Sequence, residues 1–343
     1  MKMKTLVRLL LIIILLYPHQ ARSEEMSNFL KGQFSWNISK PILSPAERPD
    51  DPCFSVKDPT VVYYQGKWHV FHTTRSKINT HQIEYVSAES WEKLNSSPRY
   101  ILNCRDGYFC APQVFYFSPH KSWYLVYQVV EENREPGLQP AFSTTENISN
   151  PNSWTKAQLL FKEGPEGINR WIDFWIICDD QKAYLFFTSL DGHLWRMSTN
   201  IDDFPEGFSN FQLALKADIF EAAHIYRLEG INKYMAVIEA IRNRTPKGRR
   251  YYVTYLANTL ESNWRKLASS EDKPFASYEN VDQPGERWTD YISHGELIRS
   301  GYDEKMLVNP DNLQFLFQGV TDGEAAGKKY GEIPWRLGIL TRK

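Results

Sequence analysis

Cysteine is scarce in this sequence, and no two cysteines have the spacing of a metal-binding motif. The four among 343 residues are Cys53, Cys104, Cys110 and Cys178, and they contain no Cys-x-x-Cys pair. A thiolate metal site is therefore not expected. Cys53, Cys104 and Cys110 lie in loop-like sequence, where an exported protein can form a disulfide. Cys178 lies in the apolar segment WIICDD and is expected to be a free core thiol.

The chain also lacks any long run of basic residues. Lysine and arginine total 40 against 41 acidic residues, which gives a formal charge of −1. Nucleic acids and anionic membranes attract strongly basic surfaces, so neither is an expected partner.

Only one apolar stretch is long, and it lies near the N-terminus. Residues 1–23 combine a basic start, an apolar core from Leu9 to Tyr17, and the small residues Ala21 and Ser23 at the end. This pattern predicts a secretory signal peptide and a secreted, extracellular protein, with an uncleaved anchor as the alternative. Cleavage removes four basic residues and no acid, which leaves 36 basic against 41 acidic residues, a charge of −5. No membrane partner is expected after cleavage.

Long helical periodicity is almost absent from the remaining chain, which instead repeats short strands. Five segments place a turn before an aromatic residue and an apolar strand: GKWHVFHT, HKSWYLVYQ, QKAYLFFTS, NKYMAVIEA and NLQFLFQG. Their aromatic anchors are Trp68, Trp123, Tyr184, Tyr234 and Phe315. Four-stranded blades of roughly 40 to 50 residues are the repeating unit of propellers. The sequence therefore predicts an all-β fold, a single five-bladed β-propeller over residues 34–343, after a short lead of residues 24–33.

A first strand with a polar head precedes each of these segments. The first strands are DPTVVYY, APQVFYF, DFWIICDD, EAAHIYRL and, more loosely, HGELIRSGYDEKMLV. The innermost strand of every propeller blade lines the central channel, so its head opens onto one face. Aligning the segments places Asp58, Asp173 and Glu221 at equivalent positions. We therefore expect three carboxylates to meet in one axial pocket, with three unrelated surface acids as the alternative.

Three carboxylates in one pocket have the chemistry of a glycosidase. Like charges a few ångströms apart raise one another's pKa. Glycoside hydrolysis needs this difference, because one carboxyl must stay protonated as the general acid while another stays ionised as base or nucleophile. Lys57 would keep the neighbouring Asp58 carboxylate charged, and the apolar neighbours of Glu221 favour a raised pKa.

Several sequence blocks, taken in chain order, resemble those of glycoside hydrolase family 62. They include VKDPTVVYYQGKWHVF, WIDFWIICDD, FEAAHIYR, WTDYISHGELIR and WRLGILT, and the likeness runs from about Phe34 to Arg342. Members of that family are α-L-arabinofuranosidases that act on arabinoxylan, so the resemblance implies a five-bladed propeller and an inverting mechanism. It also implies that Asp58 is the general base and Glu221 the general acid. Asp173 would set the pKa of the acid and orient the sugar.

The resemblance extends to other residues around the pocket. It implies that His294 of ISHGE holds one structural calcium ion together with water, with a hydrogen-bonded channel histidine as the alternative. Lys57, Gln113 and Glu296 are expected to support or contact the substrate. Tyr302 of GYD is a candidate sugar contact, with a core or loop tyrosine as the alternative. No organic cofactor is expected, and the protein is expected to act as a monomer.

Three segments depart from the family pattern without touching the acids. They are Cys110 in CAPQV, Ser189-Leu190 in TSLDGH, and the basic stretch IEAIRNRTPKGRRYY. They leave open the preferred polysaccharide, the O2 or O3 linkage, and singly or doubly substituted xylose. One alternative is a related propeller arabinanase or β-xylosidase, and another is a non-catalytic sugar-binding propeller. The blocks WIDFW and ISHGELIR favour the family 62 interpretation over the first, and the complete set of acids disfavours the second.

Overall fold

The computed structural model describes residues 28–244 and 248–343, which form five β-sheets around one axis. The signal peptide expected at residues 1–23 lies outside the described residues, as do residues 24–27 of the expected lead. Within the described ranges, no helix has the length and apolar character needed to cross a membrane. The predicted all-β, five-bladed propeller is confirmed.

Each sheet is one blade, and the strands are numbered here in chain order. The first strand, β1 (Trp36–Ile38), belongs to the last blade. Blade I contains β2 (Cys53–Tyr64), β3 (Lys67–Ser76), β4 (His81–Ala88) and β5 (Arg99–Ile101). Blade II contains β6 (Phe109–Phe117), β7 (Ser122–Val130), β8 (Leu138–Thr145) and β9 (Gln158–Leu159). Blade III contains β10 (Ile172–Cys178), β11 (Lys182–Thr188), β12 (His193–Asn200) and β13 (Ser209–Lys216).

The last two blades are larger than the first three. Blade IV contains β14 (Glu221–Leu228), β15 (Tyr234–Ile241), β16 (Arg250–Ala257), β17 (Arg265–Ser270) and β18 (Lys273–Pro274). Blade V contains β19 (Val281–Asp282), β20 (Ser293–Leu297), β22 (Gln314–Gly319), β23 (Arg336–Arg342) and β1. The short strand β21 (Leu307–Val308) pairs in parallel with β14. The loosely predicted fifth first strand is therefore divided between β20 and β21, which lie in different sheets.

The five aromatic anchors occupy the predicted places in the blades. Each lies within the first three residues of the second strand of its blade: Trp68 in β3, Trp123 in β7, Tyr184 in β11, Tyr234 in β15 and Phe315 in β22. In blade I the turn at Gln65 and Gly66 has positive φ at both residues, 47° and 79°, which suits a two-residue hairpin. The turn and aromatic signals in the sequence therefore give the correct strand pairs.

A β-bulge interrupts the innermost strand of every blade, close to the start of β6, β10, β14 and β20 and near the middle of β2. Strand pairing shifts between Lys57 and Thr60 in β2, and equivalent shifts occur in β6, β10, β14 and β20. Asp58 and Asp173 are the left-handed residues of their bulges, with φ of 49° and 55°. In β14 that residue is Ala222, with φ of 48°. Glu221 is thus equivalent to Lys57, one residue before the position of Asp58, which corrects the alignment predicted from the sequence.

Side chains tie each inner strand to the main chain of its neighbour, around the whole ring. The five links are Val114 N–H to Thr60 Oγ1, Gln113 to both polar main-chain groups of Ile176, Trp175 Nε1–H to the Ile225 carbonyl, Leu297 N–H to Tyr226 Oη, and Arg299 Nη2–H to the Val61 carbonyl. Their lengths lie between 2.6 and 3.1 Å. Because these groups are buried, the links fix the inner strands relative to one another.

The strands β1 and β23, from the two ends of the described chain, pair with each other and close the ring. β1 pairs antiparallel with β23, with Trp36 opposite Arg342 and Ile38 opposite Leu340. The Trp36 side chain is fully buried, its indole donates a 2.6 Å hydrogen bond to the Phe275 carbonyl, and its ring packs edge-on against Phe275. Blade V therefore joins the two ends of the chain and leaves no open edge between them.

All four cysteines are free thiols, so the disulfide considered among Cys53, Cys104 and Cys110 is not formed. Cys178 is a fully buried free thiol, as predicted. The blades are therefore held together by packing and hydrogen bonds.

Replacing Trp36 with alanine tests the ring closure. The change removes a large buried ring and a hydrogen bond to another strand, so it should lower the free energy of unfolding by about 3 to 5 kcal/mol. Ile78→Ala is the matched control, since that side chain is 69% exposed and should change the stability little. Thermal and denaturant unfolding measure both variants, and equal stabilities would contradict a closing role for β1.

Candidate active site

The structure brings five of the predicted residues together at the heads of the inner strands. Lys57 and Asp58 come from blade I, Asp173 from blade III, Glu221 from blade IV and His294 from blade V. The imidazole of His294 lies between two carboxylates, with Nδ1 3.3 Å from Asp58 Oδ1 and 4.0 Å from Asp173 Oδ2. All five side chains are mostly buried.

Asp58 is held as a carboxylate. Its main-chain N–H donates a 2.8 Å hydrogen bond to Gln318 Oε1, and Lys57 Nζ lies 3.7 Å from its Oδ2. Burial by itself would raise the pKa of Asp58, but the Lys57 ammonium and the other neighbouring donors hold that pKa below its ordinary value. Lys57 also lies over the ring of Tyr330, with Nζ 4.8 Å from the ring centre.

Asp173 has a different electrostatic environment. Its N–H donates to Gln128 Oε1 at 3.3 Å, and its Oδ2 accepts a 2.8 Å hydrogen bond from the N–H of Ala222. Burial and the charge of Asp58 raise the pKa of Asp173 to about 7. The hydrogen bond to Ala222 ties Asp173 to the residue directly after Glu221, so the two acids are held next to each other.

Glu221 is the third acid, and Arg250 is its main partner. Arg250 Nη1 lies 3.3 Å from Glu221 Oε1. Burial raises the pKa of Glu221 to about 7, the charge of Asp173 adds to this rise, and Arg250 opposes it. At neutral pH a large share of Glu221 is thus protonated, whereas Asp58 is ionised.

A chain of polar contacts that the sequence analysis missed links Asp58 to Glu221 through the protein. It begins at Gln318, which accepts the hydrogen bond from the N–H of Asp58. Gln318 Nε2 donates to Ser293 Oγ, and Ser293 Oγ donates to the carboxylate of Glu239, each at 3.2 Å. Glu239 then pairs with Arg250 Nη1 at 3.2 Å, which leads to Glu221. Glu239 is fully buried, and burial raises its pKa to about 8. One signal of its role was present in the sequence, an acid within the otherwise apolar strand YMAVIEAI.

Two other predicted residues lie deeper in the channel. The side-chain amide of Gln113 donates a hydrogen bond to the carbonyl of Ile176 and accepts one from its N–H. Glu296 is fully buried, and its Oε1 lies 2.9 Å from Arg299 Nε. Burial raises the pKa of Glu296 to about 7, although Arg299 opposes the rise. These side chains hold inner strands together below the pocket, so the structure gives them a supporting place.

Tyr302 lies at the opposite end of the channel from the acids. Its ring packs against Tyr64, Tyr116 and Trp123, and its carbonyl accepts a 2.8 Å hydrogen bond from the N–H of Tyr116. Tyr64 and Tyr116 lie near the ends of the inner strands whose heads form the pocket. The structure therefore does not bring Tyr302 to the carboxylates, and it corresponds to the loop tyrosine considered as the alternative.

The calcium ion expected at His294 stays a prediction. Calcium takes six to eight oxygen ligands. His294 offers a nitrogen, and within residues 28–244 and 248–343 no three or more His, Cys, Asp or Glu side chains are arranged to hold a metal ion. Among the described residues, the protein groups present do not form a calcium cage of their own.

The pocket holds Asp58, whose pKa is lowered, and Glu221, whose pKa is raised to about 7, on separate blades of a propeller. A base and an acid that can act on one bond are what glycoside hydrolysis requires. The family model "Glycosyl hydrolase family 62" matches residues 40–341. The chain belongs to this family, and the family predicted from the sequence is confirmed.

Relatives support this assignment along most of the chain. Alpha-L-arabinofuranosidase C of Cellvibrio japonicus (strain Ueda107) is 37% identical over 322 residues, which cover 92% of this chain and 48% of that protein. This chain thus spans about half the length of that curated relative. The catalytic domain of a Coprinopsis cinerea GH62 alpha-L-arabinofuranosidase is 36% identical with a TM-score of 0.83, over 91% of this chain and 98% of that one. A GH62 hydrolase solved in complex with xylotriose is 32% identical with a TM-score of 0.81, over 90% and 97% of the two chains.

Removing the Lys57 ammonium tests the electrostatic description of Asp58. Lys57→Met leaves a buried carboxylate without its cation, so it should destabilise the protein by about 3 to 5 kcal/mol at neutral pH. In the wild type the lowered pKa of Asp58 gives stability that is present above the ordinary value of 3.8 and is lost as pH falls through the folded-state pKa. In the variant that pKa rises, so the difference in stability should shrink as the pH falls from about 7 to about 4.5.

The double variant Lys57→Met/Asp58→Asn is the control, since it removes both charges together. It should recover much of the stability lost in Lys57→Met. Thermal unfolding at the two pH values measures all three proteins. A deficit in Lys57→Met that does not change with pH would show that Lys57 contributes by packing and not by its charge.

Proposed function

We propose that this enzyme is an α-L-arabinofuranosidase that releases arabinofuranosyl side chains from arabinoxylan by an inverting mechanism. The observation that carries the proposal is the placement of Asp58 beside the Lys57 ammonium and of Glu221 beside Arg250 and Asp173, on separate blades of a family 62 propeller. Relatives that share 36 to 37% of their residues with this chain are named alpha-L-arabinofuranosidases, and a further one was solved with xylotriose. These names support arabinose as the released sugar and xylan as the main chain.

The proposed reaction is a single displacement at the anomeric carbon. Asp58 accepts a proton from a water molecule while the oxygen of that water forms a bond to the anomeric carbon. The bond between this carbon and the glycosidic oxygen breaks, and Glu221 donates its proton to the leaving xylosyl oxygen. The products are β-arabinofuranose and the xylan chain without that branch. Asp58 is then protonated and Glu221 ionised, and exchange of protons with solvent restores the starting state.

The other pocket residues prepare these two groups. Lys57 keeps Asp58 ionised, which a base requires. Burial raises the pKa of Glu221 to about 7, and the charge of Asp173, where it is ionised, adds to this rise. Arg250 limits this rise and fixes the direction of the Glu221 carboxyl group. Acid and base on blades IV and I suit an inverting enzyme, because a water molecule must fit between the base and the sugar.

We extend this proposal to where the enzyme acts, how it contacts its substrate and its oligomeric state. The pattern of residues 1–23 supports export, where plant polysaccharide is met outside the cell. Tyr330, which is 42% exposed as a residue, lies beside Lys57 and Arg250 next to the acids and is a candidate contact for the substrate. We further propose that the enzyme acts as a monomer on an oligosaccharide or polymer.

A proton NMR time course on arabinoxylan tests the activity and its stereochemistry together. The wild type should release free arabinose whose first detected anomer is β, since inversion of an α linkage gives the β product. Loss of xylose branch signals then identifies the O2 or O3 linkage. Appearance of the α anomer first would overturn the inverting mechanism. Release of xylose, or of arabinose from linear arabinan only, would favour the related propeller hydrolases instead.

Glutamine at position 221 tests the general acid. General acid catalysis contributes about 10² to 10⁴-fold in rate, so Glu221→Gln should lose at least this on arabinoxylan. On an aryl arabinofuranoside with an acidic phenol the loss should be much smaller, because that leaving group departs with little protonic help. In the wild type kcat/KM should fall as the pH rises above about 7, where Glu221 loses its proton, and the variant should lack this fall.

Asp58→Asn is the matched control for this prediction. It removes the base, which both substrates need, so the two rates should fall by similar factors. Oligosaccharide binding should persist, since the amide keeps the shape of the carboxyl group. Equal losses on the two substrates in Glu221→Gln would move the acid role to another residue.

A further inference from the structure

A second cavity lies beside the catalytic pocket, and the reaction described above does not use it. We call it the Arg75 groove. It has a volume of about 470 Å³. Its lining residues are Phe54, Arg75, Ser76, Lys77, Lys328 and Glu332.

Two chain segments connect this groove to the catalytic pocket. Arg75 lies on β3 two residues after Thr73, whose hydroxyl is hydrogen-bonded to Asp58. Residues two apart on a strand point to the same side and lie about 7 Å apart. On the other wall, Gly331 contacts the Arg75 guanidinium and directly follows Tyr330, the residue whose ring lies under Lys57. The groove and the catalytic pocket therefore lie next to each other, on either side of the wall formed by β3 and residues 330–331.

The guanidinium of Arg75 is held in place by packing and keeps its hydrogen-bond donors free for a ligand. It lies over the ring of Phe54, 5.9 Å from the ring centre, and a side chain at Gly331 would collide with it. Among the residues that the structure describes, it has no ion-pair partner and no hydrogen-bond acceptor. A guanidinium has five donors in a rigid fork that matches a carboxylate.

The rest of the groove has an excess of positive charge. Lys77 and Lys328 are exposed, and in the described chain neither forms an ion pair. Glu332 is the one acid in the lining, and its Oε2 accepts a 3.3 Å hydrogen bond from the N–H of Lys329. Three cations against one acid give the groove a net charge of +2, directly beside a pocket that contains three acids.

We propose that the Arg75 groove binds the carboxylate of a uronic acid on the same polysaccharide, and that the enzyme is adapted to acidic arabinoxylan. The Arg75 fork would bind the carboxylate, Phe54 offers an apolar surface to the sugar ring, and Lys77 and Lys328 add attraction at longer range. The choice of arabinoxylan rests on the proposed function, whereas recognition of a uronic acid rests on the groove alone.

Binding of two matched oligosaccharides tests this inference without any need for turnover. The first is a xylo-oligosaccharide with one glucuronic acid branch and no arabinose, and the second is its carboxyl-reduced form, in which glucose replaces the uronic acid. Calorimetry at low salt should show about tenfold tighter binding of the acidic ligand, the size expected for one charge-assisted contact. Sodium chloride at about 0.5 M should reduce that ratio, since it screens exposed charges.

Two variants assign the effect to the groove. Arg75→Gln should bring the ratio of the two affinities close to one, whatever its affinity for either ligand. Lys67→Gln removes a cation from the other end of the same strand and should keep the wild-type ratio. If Arg75→Gln does not fold, Lys328→Gln on the facing wall should still lower the ratio. Equal affinities in the wild type, or an unchanged ratio in Arg75→Gln, would overturn the proposal.

Arabinose release separates this inference from the proposed function. If the wild-type enzyme releases arabinose from neutral arabinoxylan but binds both oligosaccharides equally, the proposed function stands and the proposed uronic acid site is wrong. If the enzyme prefers the acidic oligosaccharide but releases no arabinose, the uronic acid site stands and the proposed function is wrong. Tighter binding of the carboxyl-reduced ligand would show that the groove recognises neutral sugars.

Discussion

The hydrogen bonds that tie each inner strand to the main chain of the next are the interaction on which the rest of this structure depends. Each catalytic group lies at the head of an inner strand, and those heads come from different blades. A general acid and base must be held within about 0.5 Å of their working positions. No single blade can do this, because acid and base lie on separate sheets. The buried links made by Thr60, Gln113, Trp175, Tyr226 and Arg299 join these sheets into one ring.

The bulges at the strand heads give similar strands different chemistry. Asp58 and Asp173 occupy the same bulge position, yet the first has a lowered pKa and the second a raised one. The difference follows from their neighbours, since an ammonium faces Asp58 whereas Asp173 faces the charge of Asp58 itself. Glu221 occupies in blade IV the position that Lys57 has in blade I. The same place in the repeat therefore holds the acid in one blade and a cation in the other. The repeat provides the geometry, and substitutions within it provide the acid and the base.

Much of the fold was predictable because its signals are local. Each blade begins with a turn and an aromatic-anchored strand pair, and a short window of sequence contains both. The three acids and Lys57 were also found this way, since all lie at strand heads. Glu239 and Arg250 were missed because they lie on the second and third strands of blade IV, respectively. Arg250 pairs with Glu221, and Glu239 pairs with Arg250, only once the sheet has formed. Tyr302 was misplaced because its motif contains no information about which end of the channel it approaches.

By itself the sequence determined the number of blades, the inner strand pairs of the first four, and which three acids lie near the heads of inner strands. Periodicity and turn chemistry carry this information, and both act between residues close in the chain. Only the tertiary structure decided that Asp173 shares a raised pKa with Glu221, that Arg250 and Glu239 support the acid, and where the Arg75 groove opens. These properties depend on burial and on distances between charges from different blades, and such distances exist only once the ring has closed.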